Sequence, residues 1–558
     1  MFQNYFKIAL RNLLQHRAFS LINISGLAIG LTAGILIFLF LQHEMSYDRF
    51  HAHADRIYRV VNERHGEGKV FYRAATPPGY AATMKSEFPE VIEAVRFFDM
   101  GKILVEHDDR RFFEENFLLA DSTVLKVFSF ELLAGDPNTA LTSPSTVVIS
   151  KKMAQKYFGD ADPVGQILRL QTRRDFKITG VMADLPENSH LKFDFLGSFS
   201  SLYNLESAER LRNFIWQQFT TYLLLPENYD SKKLEAKLPA YIAKYAEPQT
   251  SKFGFSYKPF LQPLTDVHLR SVQLDFDIAQ KGDIHHVYAF AMVAAFILLI
   301  ACFNFMNLST ARAANRAKEV GLRKVVGAQR GQLVHQFLSE SILMTILSLA
   351  IALGLVELLL PAFNGLTGKT LTLNYARNWL AAFGLVSLSL AVGILAGSYP
   401  AFFLSRFQPV NVLKGSSFFS PRGTKAGLRR ILVVTQFTIS LALIVGTFIV
   451  LEQLHFLKNK KLGFEKEQIV VLPIRNDEMR RNCEGIKNEL LTRPEIVSAT
   501  VFYGTPGGML AGDDIRFPGS PTHWSTYMIL LDRDYLKTFG MEIIAGRGFS
   551  HEFSTDAD

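Results

Sequence analysis

Cysteine is almost missing from this sequence: Cys302 and Cys483 are the only two in 558 residues. One falls in an apolar run and the other lies far along the chain, so no disulfide framework is expected. Zinc-finger spacing and the aromatic signatures of RNA-binding folds are also missing. The formal net charge of +8 therefore does not point to nucleic acid. No local motif arranges Ser, His and Asp, or Cys and His, for nucleophilic catalysis. A phosphate loop is lacking as well. Gly368-Lys369-Thr370 resembles the end of one, but a true motif needs a glycine at 363, where Phe363 stands.

What the sequence does have is long apolar runs with few or no charges, the third carrying Glu357, and 48% of its residues are hydrophobic. A bilayer-crossing helix needs about 20 apolar residues. Five runs qualify, predicted as spans at residues 19–42, 287–308, 340–363, 378–403 and 431–451. The first follows Lys7, Arg11 and Arg17 as a signal peptide would, but it is too long and lacks a small-residue cleavage site. It reads as an uncleaved anchor. Ahead of it, residues 1–18 place Phe6, Leu10 and Leu13 at helical spacing, as expected of an amphipathic helix on the cytoplasmic face.

Charge sets the direction. Residues 309–339 carry Arg312, Arg316, Lys318, Arg323, Lys324 and Arg330 against Glu319, and residues 404–430 carry Arg and Lys with no acid. The loop at 364–377 has only Lys369 and Arg377. Short basic loops stay in the cytoplasm, so the N-terminus is expected inside and residues 43–286 and 452–558 outside. The larger outer segment alternates strand-like and helical stretches. Residues 145–150 and 176–181 read as strands, and Lys151 to Phe158 as a helix ended by Gly159. The expected class is an α-helical membrane protein with an α+β extracytoplasmic domain.

The two outer segments repeat a motif. Leu125-Lys-Val-Phe-Ser-Phe-Glu-Leu-Leu-Ala-Gly135 matches Leu536-Lys-Thr-Phe-Gly-Met-Glu-Ile-Ile-Ala-Gly546, with Asp121 and Asp532 at the same offset before them. The chain reads as one unit of span, outer domain and three spans, followed by the start of a second. A truncated, split or fragmentary product is the expectation.

One stretch is more specific. Asn304-Phe-Met-Asn-Leu-Ser-Thr-Ala-Arg312 continues through Lys318-Glu-Val-Gly-Leu-Arg-Lys-Val-Val-Gly-Ala328 to Gln336-Phe-Leu-Ser-Glu-Ser341. It strongly resembles the MacB/FtsX-type permeases of ABC transporters. Gly397-Ser-Tyr-Pro-Ala, Pro409-Val-Asn-Val-Leu-Lys-Gly415, Tyr157-Phe-Gly159, Asp162-Pro-Val-Gly165 and Asn188-Ser-His190 extend the resemblance along the chain. It implies a MacB-like periplasmic core domain at 43–286 between the first two spans, and a bacterial inner-membrane location. It also implies a non-catalytic subunit with no cofactor of its own, ATP and magnesium being held by a partner ABC ATPase.

Under that resemblance Lys318, Glu319, Val320, Gly321, Leu322, Arg323, Lys324, Val325, Val326, Gly327 and Ala328 form the coupling segment that docks on the ATPase. The residues suit the role. Leu322, Val325 and Val326 share a helical face that can fill an apolar groove. Glu319, Arg323 and Lys324 can supply rim charges, and Gly321 and Gly327 can mark the helix ends. The bland alternative is an ordinary basic loop. Gly26, Gly30 and Gly34 give the first span a smooth face for packing within the subunit or for dimerisation. His51, His53 and Asp55 read as a solvated juxtamembrane segment rather than a metal site. Glu357 is a lone acid near a membrane boundary.

Other expected partners are a second permease copy or paralogue, a periplasmic adaptor and membrane lipid. The leading expectation is export or extraction of an amphiphile such as a peptide, drug or lipoprotein. The alternative is a mechanotransmitter that regulates an envelope enzyme or sensor, with a membrane-bound enzyme a distant third.

Overall fold

The computed structural model describes residues 11–66, 69–170, 174–311, 320–373, 379–405, 425–460, 462–465, 467–474, 477–503, 511–516, 523–550, 552–553 and 556. Five long apolar helices dominate one half: α1 (Arg17–Met45), α2 (Ile284–Ala311), α3 (Arg330–Thr367), α4 (Trp379–Ser405) and α5 (Lys425–Asn459). Each is long enough to cross a bilayer at about 1.5 Å per residue. α1 packs on α2 and α3, and α3 on α4. Leu27, Leu31 and Ile35 of α1 meet Ala301 and Phe305 of α2, Met344, Ala352 and Val356 of α3, and Val392 and Ala396 of α4 in one apolar core. α5 stands at the edge, joined to α2 by a 3.2 Å hydrogen bond from Asn307 to Gln436.

α3 starts earlier than its apolar run. Gln329 and Gln332 form a reciprocal cap at its start, and the polar first turns are held by Leu333 and Phe337, which are buried. At the other end Gly368 takes a left-handed conformation (φ 65°) that closes the last turn.

Between α1 and α2 lies the α+β domain. Its strands are β1 (Ile57–Gly66), β2 (Lys69–Arg73), β3 (Glu93–Asp99), β4 (Ile103–His107), β5 (Arg110–Glu114), β6 (Phe117–Ala120), β7 (Leu132–Gly135), β8 (Thr146–Ser150), β9 (Ile167–Leu170), β10 (Arg174–Met182), β11 (Phe195–Ser198), β12 (Phe219–Leu224) and β13 (Phe255–Pro263). They form one 13-stranded mixed sheet in the order β13-β1-β12-β3-β6-β11-β8-β10-β9-β4-β5, with β2 beside β1 and β7 beside β10. The β8–β10 and β6–β11 pairs are parallel and the others antiparallel. The Lys151–Phe158 helix follows β8 directly, because Ser150 caps it through the Met153 N–H and Gly159 (φ 64°) ends it. Phe97, Phe117, Phe128, Phe195 and Phe219 are fully buried, each contributing about 1.5–3 kcal/mol by burial. These five phenylalanines serve the core. Arg59 is also fully buried, paired with Asp277 at 2.8 Å and bonded to Gln262 and Ser271.

The motif repeat has a geometric counterpart. Asp121 accepts the Arg96 N–H at 2.8 Å, and Asp532 accepts the Val501 N–H at 2.9 Å. Each aspartate carbonyl then accepts the N–H three residues on, from Val124 and Tyr535, and opens a short helix. The strand register agrees too: Phe97 faces Ala120 as Phe502 faces Leu531. Gly135 and Gly546 both have positive φ, 101° and 87°. At Gly135 a Cβ would lie 2.4 Å from the Thr179 carbonyl oxygen, so glycine is required where β7 meets β10. A further sequence match lies upstream, between Pro89-Glu-Val-Ile-Glu-Ala94 and Pro494-Glu-Ile-Val-Ser-Ala499.

Candidate functional site

The basic segment between α2 and α3 is described from Val320 onward; Lys318 and Glu319 lie outside the described residues. Residues 320–325 are helical and end in a turn at Gly327, whose φ is 100°. Gly321 lies inside this helix and is buried. Val320 is 1% exposed, packed on Leu333 and Phe337 of α3 and on Ala401 and Leu404 of α4. Arg323 donates to the Gln336 side chain, and Lys324 donates to the Ser405 carbonyl at 2.7 Å. These two cations, expected at the rim of a docking face, are instead turned toward α3 and α4. The reason is local: α3 and α4 present acceptors there, and the half-buried cations need them.

Locking one face of the short helix leaves the other standing free. Leu322, Val325 and Val326 are 59%, 61% and 87% exposed. Ala328 closes the turn through its N–H to the Arg323 carbonyl at 3.0 Å. Three apolar side chains thus project from a base fixed by packing and hydrogen bonds. They sit at the end of the bundle away from the α+β domain.

Two family models match in the same order as these parts. One, for a MacB-like periplasmic core domain, matches residues 20–241, and one for an FtsX-like permease C-terminal region matches residues 291–409, including the projecting turn. The chain belongs to the MacB/FtsX family of ABC-transporter permeases.

Among similar proteins is the macrolide export ATP-binding/permease protein MacB of Bdellovibrio bacteriovorus. It is 27% identical over 282 residues, covering 48% of this chain and 38% of that protein. An uncharacterised ABC transporter permease of Bacillus subtilis, YknZ, is 23% identical over 284 residues, 50% of this chain and 63% of its own length. The chain therefore spans about two fifths of MacB and under two thirds of YknZ. The solved periplasmic region of MacB from Actinobacillus actinomycetemcomitans aligns with 38% of this chain and 91% of its own at 14% identity, with a TM-score of 0.29.

Other parts of this MacB/FtsX-family chain bear on the site. The glycine face of α1 meets α2 of the same chain. A Cβ on Gly26 would lie 3.2 Å from Asn304, one on Gly30 2.8 Å from the Ala301 Cβ, and one on Gly34 3.3 Å from Leu298. The close approach is therefore intramolecular here. Near the projecting turn, Gln336 and Asn12 both donate to Glu340, at 3.2 and 2.8 Å. This ties α3 to the segment before α1. Glu340 is buried, and these hydrogen-bond partners were not legible in the sequence. Glu357 lies on an exposed face of α3.

At the domain end, Asn188-Ser189-His190 is a clamp on the chain leaving α1. Asn188 donates to both the carbonyl and hydroxyl oxygens of Ser46 at 3.0 Å, and its own carbonyl accepts the Asp48 N–H at 2.8 Å. His190 lies 2.8 Å from Asp48 through Nδ1 and 2.6 Å from the Tyr222 hydroxyl through Nε2. These bonds hold Asp48 at φ 61°, a conformation that non-glycine residues rarely adopt. Burial pushes the Tyr222 hydroxyl well above its ordinary pKa. His51, expected in a solvated segment, is buried instead. Its ring packs between Phe50, Phe128 and Phe130, with Nδ1 accepting the Ser129 N–H at 3.1 Å.

Proposed function

We propose that the chain is the membrane subunit of an ABC transporter in a bacterial inner membrane, with its N-terminus in the cytoplasm, and that it hands the ATP-driven motion of a separate ATPase to the extracytoplasmic domain. The observation that carries this reading is the projecting turn. Leu322, Val325 and Val326 are exposed while Val320, Arg323 and Lys324 bind the turn to α3 and α4. An apolar knob on a rigid base suits a groove on a partner, and a push on it passes directly into two spanning helices. Basic loops on the same side support the orientation. The motion serves export or extraction of an amphiphile such as a peptide, drug or lipoprotein. The macrolide named for the MacB relatives falls in that class.

The test is capture of candidate ABC ATPase subunits by the full chain in detergent. The parent chain should retain one, and a Leu322→Glu, Val325→Glu variant with an unchanged melting profile should not. Equal retention by both refutes the assignment of this turn.

A further inference from the structure

The other end of α3 carries an ion-paired junction that the coupling segment does not reach. α3 is 38 residues long, or about 57 Å. Just past its left-handed cap, Lys369 extends its ammonium to Glu44 Oε1 at 2.9 Å and to the Tyr47 hydroxyl at 3.0 Å. The other Glu44 oxygen lies 2.9 Å from Nε2 of His268, a residue of the α+β domain. His268 is held on its other side by the Gln280 carbonyl, 2.7 Å from Nδ1, and its ring stacks face to face on Tyr47 at 3.4 Å. Glu44 and His268 are buried. Burial opposes the Lys369 charge, but its hydrogen bonds to Glu44 and Tyr47 outweigh this and raise its pKa above the ordinary lysine value.

The chain entering α2 passes against the same group. A Cβ on Gly282 would lie 2.6 Å from His268 Nε2 and 2.8 Å from Glu44 Oε2, so only glycine fits. The Gly282 N–H donates to the His268 carbonyl at 2.8 Å. The same α3–α4 loop makes a second contact, from the Thr370 N–H to Glu187 Oε2 at 3.2 Å, beside the Asn188 clamp. The end of α1, the start of α2, the end of α3 and the base of the domain thus meet at one buried carboxylate.

We infer that Lys369, Glu44 and His268 form a latch through which the far end of α3 moves the base of the α+β domain. The inference rests on the proposed function and extends it: α3 receives the push at Leu333 and Phe337 beside the projecting turn and delivers it at Lys369. α3 stays helical from Arg330 to Thr367, with Pro361 removing one backbone hydrogen bond near its far end, and a helix carries axial displacement with less loss than a solvated loop. A desolvated charge pair holds its partners to fixed positions more firmly than surface contacts do. Lys369 and His268 are positioning residues in this scheme and touch no transported molecule.

Hydrogen–deuterium exchange on the full chain tests it in two arms. Without any ATPase, Lys369→Met and Gly282→Ala should speed exchange at residues 264–284 and leave residues 320–336 unchanged, while Lys369→Arg behaves as the parent. With a captured ATPase, ATP plus vanadate should alter exchange at 264–284 in the parent and in Lys369→Arg. Lys369→Met should keep the ATPase and lose that response. Unchanged exchange in both first-arm variants overturns the latch, as does a full nucleotide response in Lys369→Met. Failure of the parent to capture an ATPase overturns the proposed function, and the first arm then still decides the latch.

Discussion

His51 gives the domain base a specific acid sensitivity. The imidazole sits among three phenylalanine rings, and burial lowers its pKa from 6.5 to about 4 although the Asp48 carboxylate opposes the shift. In the unfolded chain the same ring takes up a proton as pH falls through about 6.5. In the folded chain it does so only near 4. Between those values the unfolded state holds the extra proton, so stability falls as pH drops, by about 1.4 kcal/mol per pH unit. The full contribution is present above about 6.5 and is lost by about 4, for a total on the order of 3 kcal/mol.

The control is His51→Asn, whose side-chain oxygen can still accept the Ser129 N–H but cannot titrate. The assay is thermal unfolding of the full chain in detergent, followed by exchange protection of the 124–130 segment and by tryptophan fluorescence. Trp216 reports on the domain, since it packs on Phe98 and Phe219. From pH 7 to 4.5 the parent should lose roughly 5–10 °C more than the variant, taking about 2–4 °C per kcal/mol for a domain of this size. Parallel pH profiles for the two proteins would refute the assignment of a neutral, buried ring. A steeper loss in the variant would place the sensitivity elsewhere.

Two further predictions concern packing. Gly30→Ala should destabilise the α1–α2 contact by about 1–3 kcal/mol, because its new Cβ would fall 2.8 Å from that of Ala301. Ala301→Gly in the same chain should restore it, as measured by denaturant titration in detergent, and a double variant no better than the single one would refute the contact. Asp277→Ala should cost about 3–5 kcal/mol by stranding the buried Arg59 guanidinium. Arg59→Met combined with Asp277→Leu should cost much less in the same assay.

The spans were legible because a bilayer imposes a composition: an uncharged run of about 20 residues announces itself without any knowledge of packing. The start of α3 was not. Arg330 and His335 interrupt the apolar run, and what keeps the helix going there is the Gln329–Gln332 cap and the burial of Leu333 and Phe337 against other elements. The same reason explains why the inward hydrogen bonds of Arg323 and Lys324 were not legible. Charge content was visible, but the acceptors that turn them inward lie 13 residues away for Arg323 and 81 for Lys324. The Glu44–Lys369 pair, 2.9 Å apart, left only a faint trace: a lone acid just past one apolar run and a lone base just past another. Such residues are costly near a membrane unless paired, so each is a reason to look for the other.

The repeat shows what a motif can encode. Asp121 and Asp532 each accept a backbone N–H from the chain alongside and open a short helix, yet the cation beside them differs. Arg96 comes from the paired strand itself, whereas Lys487 comes from the helix before it and also reaches Asp534. The carboxylate is set by backbone geometry, which a short motif can specify. The cation is set by whichever neighbouring element packs over that carboxylate, and position in the motif carries no information about it. The repeated motif accordingly marks a turn and a helix start in both copies, and the charge partners that join one element to another appeared only in three dimensions.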